Sequence, residues 1–214
     1  MKKIIIQVIL ALVAIFLAYK CYESVNNPLE FQKLKDQRYS RIIQRLKDIR
    51  TAQESYKNLY GRYTGSFDTL IYFVKHDSLK TVRAIGELTD DQLEAGITEQ
   101  EALKKGLIIR DTIRVAALQE LFGENYPIDD IRYVPFTNRK YEFSLKADII
   151  PTEAGVDVPV FEASTSNMTI FDDKMEDFRD AVLEENGERI RLHKYPGLKV
   201  GSVKEANNNV GNWE

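Results

Sequence analysis

Residues 4–19 read IIIQVILALVAIFLAY, and the reading of this run decides the architecture. All but Gln7 are apolar, with Lys2 and Lys3 ahead of them and Lys20 and Cys21 behind. A transmembrane helix needs about 20 apolar residues, so the run is short. Ala18 to Tyr22 extend it, with Lys20 snorkelling towards lipid headgroups. A cleaved signal peptide requires small residues at positions −1 and −3 of the cut. The pairs Phe16/Ala18, Ala18/Lys20, Tyr19/Cys21 and Tyr22/Ser24 all lack them. A lipoprotein site is absent too, because Lys20 precedes Cys21. The readings that compete are an uncleaved signal anchor, a cleaved signal peptide and a soluble core helix. The expectation is the anchor: a transmembrane segment over residues 1–22, held in the lipid bilayer through residues 4–22. Lys2 and Lys3 favour a cytoplasmic N-terminus, although Lys20, Lys33, Lys35 and Arg38 on the far side blur the positive-inside count. The expected location is the bacterial inner membrane, single pass, with the C-terminal domain in the periplasm. One cysteine, with no partner for mispairing, suits an oxidising compartment.

Beyond the anchor, Pro28 can occupy a first helical turn. No other Pro and no Gly follows until Gly61. Tyr39, Ile42, Leu46, Ile49, Gln53, Tyr56 and Tyr60 recur at alternating spacings of three and four, one stripe of a helix. The spacing predicts a long amphipathic stalk helix over 28–61, about 45 Å if thirty residues rise 1.5 Å each. The stripe packs either on the chain's own sheet or on another subunit; Gln53 and the tyrosines make it polar for a coiled coil.

Residues 62–195 read as an α+β head. Ser66 caps a short helix, Phe67 to Lys75. Thr89-Asp90-Asp91-Gln92 and Thr98-Glu99-Gln100-Glu101 match capping boxes, the second opening a helix that Gly106 ends. Strands are expected at Leu107–Val115, Asp130–Phe136, Lys140–Ile150, Val158–Ala163 and Glu188–His193. Thr137-Asn138-Arg139 makes a tight turn, so the second and third strands pair antiparallel. A helix at Lys174–Glu185 follows Asp172 and Asp173 and stops at Gly187. The tail, 196–214, is polar and Asn-rich and frays if left alone. Its Trp213 pins the tail to the domain or anchors it on a partner.

The whole chain has 214 residues, a formal charge of −3 and 43% hydrophobic residues. This excludes a polytopic membrane protein, and a near-neutral charge argues against nucleic acid as a partner. Residues 29–62 hold nine basic and four acidic residues, whereas 151–190 hold eleven acidic and three basic. A basic stalk and an acidic head attract across neighbouring copies in one reading of that asymmetry. No Gly-rich phosphate loop, HExxH, CxxC, G-x-S-x-G or S-x-x-K occurs. His76 and His193 stand alone, and no EF-hand spacing is present, so the acidic residues Asp172, Asp173, Glu176 and Asp177 read as a solvated helix start before a calcium site. The expectation is no enzyme and no cofactor.

The stalk ends in Ala52-Gln53-Glu54-Ser55-Tyr56-Lys57-Asn58-Leu59-Tyr60-Gly61-Arg62-Tyr63-Thr64-Gly65, followed by Leu70-Ile71. Apolar anchor, long helix and Tyr-x-x-x-x-Gly-x-Tyr turn resemble the type IV pilin and type II secretion pseudopilin plan over about residues 1–72. The family's processing motif is absent: Met1-Lys2-Lys3 stands there, and Gln7 is the single polar residue of the run. The resemblance implies a non-enzymatic structural or interaction component of an envelope assembly, in contact with other envelope proteins or with itself. The alternative is a tethered module whose sheet binds a peptide, glycan or small ligand, with Tyr126, Tyr133, Phe136 and Tyr141 as candidate lining.

Overall fold

The computed structural model describes residues 2–85, 98, 101, 107, 109–151 and 155–214. In chain order the helices and strands are α1 (Lys2–Tyr60), α2 (Phe67–His76), β1 (Ser78–Ile85), β2 (Ile109–Ala116), α3 (Ala117–Leu121), β3 (Ser144–Pro151), β4 (Asp157–Ser166), α4 (Asn167–Ile170), α5 (Met175–Arg191) and β5 (Gly197–Gly201). Two 3-10 turns lie at Ile128–Arg132 and Asp172–Lys174. The class is α+β, with two antiparallel sheets ordered β1-β2 and β3-β4-β5. The chain forms two compact units, Met1–Arg50 with Asp130–Glu214, and Thr51–Asp129.

One expectation is corrected at once. Among the described residues, no helix is long and apolar enough to cross a membrane. This removes the expected transmembrane anchor, and with it the single-pass, inner-membrane and periplasmic placement. Sixteen residues make about 24 Å of helix against a hydrocarbon core of about 30 Å. Reaching the full span means burying Lys20. The helix also runs through Pro28, whose fixed φ matches a helix although it contributes no N–H.

In the unit Thr51–Asp129, the last turns of α1 bury Ala52, Gln53 and Tyr56. Gly61, at φ +76°, ends the helix, and its N–H donates to Lys57 O at 2.7 Å. Fully buried Gln53 then closes the following turn. Its Nε2 donates to Thr64 O at 2.6 Å and its Oε1 accepts from Thr64 N at 3.1 Å. A polar residue inside an apolar stripe is satisfied at both ends, as a buried amide must be. Ser66 caps α2 by accepting from Thr69 N, and α2 buries Phe67, Leu70, Ile71, Phe73 and Val74. Phe73 meets Tyr56 edge-on at 5.3 Å. β1 pairs with β2 from Ser78↔Ala116 to Ile85↔Ile109. Thr98 and Glu101 exchange the two hydrogen bonds of a capping box. The rest of that helix, and the box at Thr89, lie outside the described residues.

In the other unit, the buried set includes Ile42, Leu46 and Ile49 of α1 with Phe161, Ala163, Ile170, Phe171, Val182, Leu198 and Val200. The strand expected at Asp130–Phe136 is mostly the Ile128–Arg132 turn, with one isolated bridge, Tyr133↔Glu142. Ile128 and Ile131 are buried three residues apart within that turn, the period of a 3-10 helix rather than a strand. The strand expected at Glu188–His193 is helix to Arg191. The Arg189–Glu185 pair, 2.7 Å, bridges the turn that contains Gly187 and carries the helix past it. His193 at φ +54° supplies the left-handed cap instead, and Lys194 N donates back to Arg189 O at 2.8 Å. The tail is folded: Gly201 N donates to Val210 O at 3.1 Å, and Asn212 N to Lys199 O at 3.0 Å.

Candidate functional site

The stripe residues face inward. Ile42, Leu46 and Ile49 are fully buried in their unit. Tyr39 is partly buried and donates its hydroxyl to Asn167 Oδ1 at 2.6 Å, and Asn167 in turn donates to Asn186 at 2.8 Å. In the other unit Gln53 and Tyr56 are buried, while Tyr60 is half exposed and donates to Asp77 at 2.6 Å. Trp213 is partly buried over Gly211, where a Cβ would lie 2.4 Å from the indole ring, so it packs on its own tail turn.

Part of the basic side of the stalk is paired within one chain. Lys35 pairs with Glu185 at 2.9 Å and Arg50 with Glu214 at 2.8 Å. Arg45 donates to the Asp130 carbonyl. Arg38 is buried and grips both oxygens of Asp173 at 2.6 and 2.8 Å, while also donating to Ile170 O at 2.6 Å. Its guanidinium lies over the rings of Phe136 and Phe171. Reading the sequence missed this node, although Arg38 stands four residues before Ile42 in the buried register. Lys35 and Arg38 thus spend their charge on Glu185 and Asp173 of the acidic segment within the same chain.

Burial pushes the Tyr39 hydroxyl up to about 12, against the pull of nearby Arg189. An unfolded tyrosine ionises near pH 10, so the stability tied to this group is complete below about pH 10 and is lost as pH rises towards the folded value. Urea titrations between pH 9 and 12 are expected to show a shallower loss in Tyr39→Phe than in the wild type.

The other candidates have structural partners. Asp172 binds Lys140 at 2.7 Å and Tyr141 at 3.2 Å, and Asp177 binds Lys174 at 3.3 Å. Arg38 likewise pairs with Asp173. Among the described residues, no group of three or more His, Cys, Asp or Glu is placed to hold a metal ion. His76 stacks on Tyr72 at 4.3 Å with Nδ1 3.0 Å from Tyr72 O. His193 is exposed, and the Cys21 side chain lies outside those described. A groove of about 750 Å³ runs between α1 and α5, with Phe31 and Phe178 in its lining beside Asp177, Asp180 and Glu184. Tyr126, Tyr133, Phe136 and Tyr141 are not among its lining residues. Phe136 sits instead over Arg38, and Tyr126 stacks on Phe122 at 4.5 Å.

Among the described residues, the most exposed apolar surface is the first part of α1. Ile4, Ile6, Ile9, Leu10, Leu12, Val13, Ile15, Phe16, Leu17 and Tyr19 are 48% to 67% exposed. Successive residues on a helix turn by about 100°, so these ten surround the axis rather than marking one face.

No family model, no curated protein and no solved structure matches this chain.

Proposed function

We propose that this chain is a non-enzymatic structural subunit, pilin-like in plan, that assembles through the first part of α1. The supporting observation is the apolar sleeve from Ile4 to Tyr19. Ten side chains exposed to this degree leave roughly 1,000 Å² of apolar surface, more than the 300–600 Å² of the largest patch on a typical monomer. Packed among several copies, which together cover it on every side, it buries about the area per chain of a standard stable interface. A sleeve that is apolar all round is suited to a bundle of several helices, not to a single seam. The rest of the chain then holds its own fold through the Arg38 and Gln53 nodes and presents its outer faces to the assembly.

The test is sedimentation of the full chain in aqueous buffer, beside the double variant Leu10→Lys/Leu17→Lys. The wild type is expected to form oligomers. The variant is expected to lose the larger assemblies and run no larger than a dimer, with an unchanged near-ultraviolet spectrum from Trp213. A monomeric wild type defeats the reading, as does a variant that assembles like the wild type. So does a wild type that stays monomeric and partitions into phosphatidylcholine vesicles.

A further inference from the structure

β3 lies at the edge of its sheet, beyond β4 and away from β5. The hydrogen-bond phase of the sheet shows what that edge presents. Asn167, one residue past β4, donates its N–H to Pro196 O at 3.0 Å on the β5 side. Odd-numbered β4 residues therefore face β5, and even-numbered ones face β3. The register sets Ser144 opposite Ser164 and Lys146 opposite Glu162. Even-numbered β3 residues thus bond to β4, and the N–H and C=O groups of Leu145, Ala147 and Ile149 point outward. The Ile149 N–H agrees with this phase, because its acceptor is the neighbouring Asp148 carboxylate at 2.8 Å. On the opposite side of the sheet the outward groups of β5 are taken by the tail, through Val210 and Asn212.

The edge is self-complementary. We propose that two copies of this chain pair antiparallel through β3 about a two-fold axis at Ala147, joining two three-stranded sheets into one of six. In that register Ala147 faces Ala147, and Leu145 faces the second copy's Ile149. Lys146 faces the second copy's Asp148, twice over, in the non-hydrogen-bonded positions where cross-strand side chains come closest. Lys146 and Asp148 are both exposed in the single chain. Ile149, 55% exposed as it stands, gains the second copy's Leu145. On pairing, the Ile149 N–H passes from Asp148 to the second copy's Leu145 carbonyl, and the freed carboxylate meets Lys146. The charges also select the register. Moving the axis one residue either way sets Lys146 against Lys146, or Asp148 against Asp148. The contact is separate from the apolar sleeve, and the two are separable by experiment.

The register is tested by crosslinking full-length chains in a Cys21→Ser background under mild oxidation. Paired Ala147 positions are about 5.5 Å apart at Cα, inside the disulfide range. Position 146 and its own counterpart are about 8 Å apart, outside it, and so are the two copies of position 148. Ala147→Cys is expected to form covalent dimers at least tenfold faster than Lys146→Cys or Asp148→Cys. Equal rates at the three positions would overturn the proposal. The charges are tested by sedimentation of chains that also carry Leu10→Lys/Leu17→Lys. In that background Asp148→Lys and Lys146→Asp each weaken pairing at least tenfold, about 1.4 kcal/mol. An equimolar mixture of the two pairs again, since every lysine then meets an aspartate. Single variants that pair like the parent, or a mixture that fails to pair, would also overturn it. A sleeve that fails its own test while Ala147→Cys still crosslinks leaves this contact standing.

Discussion

Gly201→Ala is expected to destabilise the unit that contains the β3-β4-β5 sheet by about 4 kcal/mol. Two independent costs meet at this position. The backbone has φ +71°, a left-handed conformation that alanine adopts only with strain. A Cβ built there would also lie 2.2 Å from Phe161 O and 3.2 Å from Phe161 C. Phe161 is fully buried and sits centrally in β4, so its carbonyl has no room to withdraw. β5 must instead move away from β4, which breaks the Glu162↔Gly201 and Ala163↔Val200 pairing. It also releases the tail, because Gly201 N holds Val210 O. Whole-domain stabilities are commonly about 5–15 kcal/mol, so a loss of this size removes a large share. Urea denaturation followed by Trp213 fluorescence measures it. Gly187→Ala is the control: its Cβ meets nothing within 4 Å and it lies inside α5, so it is expected to be neutral or mildly stabilising.

Arg38→Met is expected to cost about 3 kcal/mol in the same unit. The methionine keeps much of the buried volume and removes the charge with its three hydrogen bonds. Ile170 O loses its charged donor, and Asp173 loses both of its bonds. The loss stays moderate because the Asp173 side chain is half exposed and regains water. Phe136 and Phe171 lose the guanidinium between them. Arg38→Lys is expected to recover less than half, because one ammonium cannot reproduce a planar fork on a carboxylate. Denaturant midpoints give the energies. A second readout is the carboxyl itself. Hydrogen bonding from Arg38 holds Asp173 below the usual carboxylate range, which adds stability above that range that is lost as pH falls. In Arg38→Met the Asp173 resonance is expected to titrate at higher pH, and stability to decline less steeply on acidification.

Local chemistry made some of this fold legible in the sequence. The stripe from Tyr39 to Tyr60 is helix because its spacing is helical and neither Pro nor Gly interrupts it. α2 follows from Ser66 and its Phe67–Val74 apolar content. β4 follows from its β-branched residues, whereas the strand expected from Lys140 begins only at Ser144, leaving Tyr141 and Phe143 of the alternating run ahead of β3. Other elements depend on partners distant in sequence. β5 is five residues, Gly197–Gly201, with a glycine at each end, and it is a strand because both glycines let it approach β4 closely. The tail carries a fraying composition yet is tied down by Asn212, which bonds Lys199 and Gly197.

What the sequence determined by itself is the set of locally encoded elements and the inventory of charge and apolar residues: a long helix with an apolar start, a basic middle and an acidic remainder. The tertiary structure decided how those inventories are used. It placed Arg38 and Gln53 in the interior, where each bonds to groups 11 or more residues away. It consumed part of the charge asymmetry within one chain. Among the described residues it left β3 at the edge of its sheet, with Lys146 and Asp148 symmetrically placed about Ala147. The physical reason is range. Helical periodicity, capping and strand alternation act over a few residues, whereas burial, close backbone approach and edge exposure are properties of segments that meet only when the chain has folded.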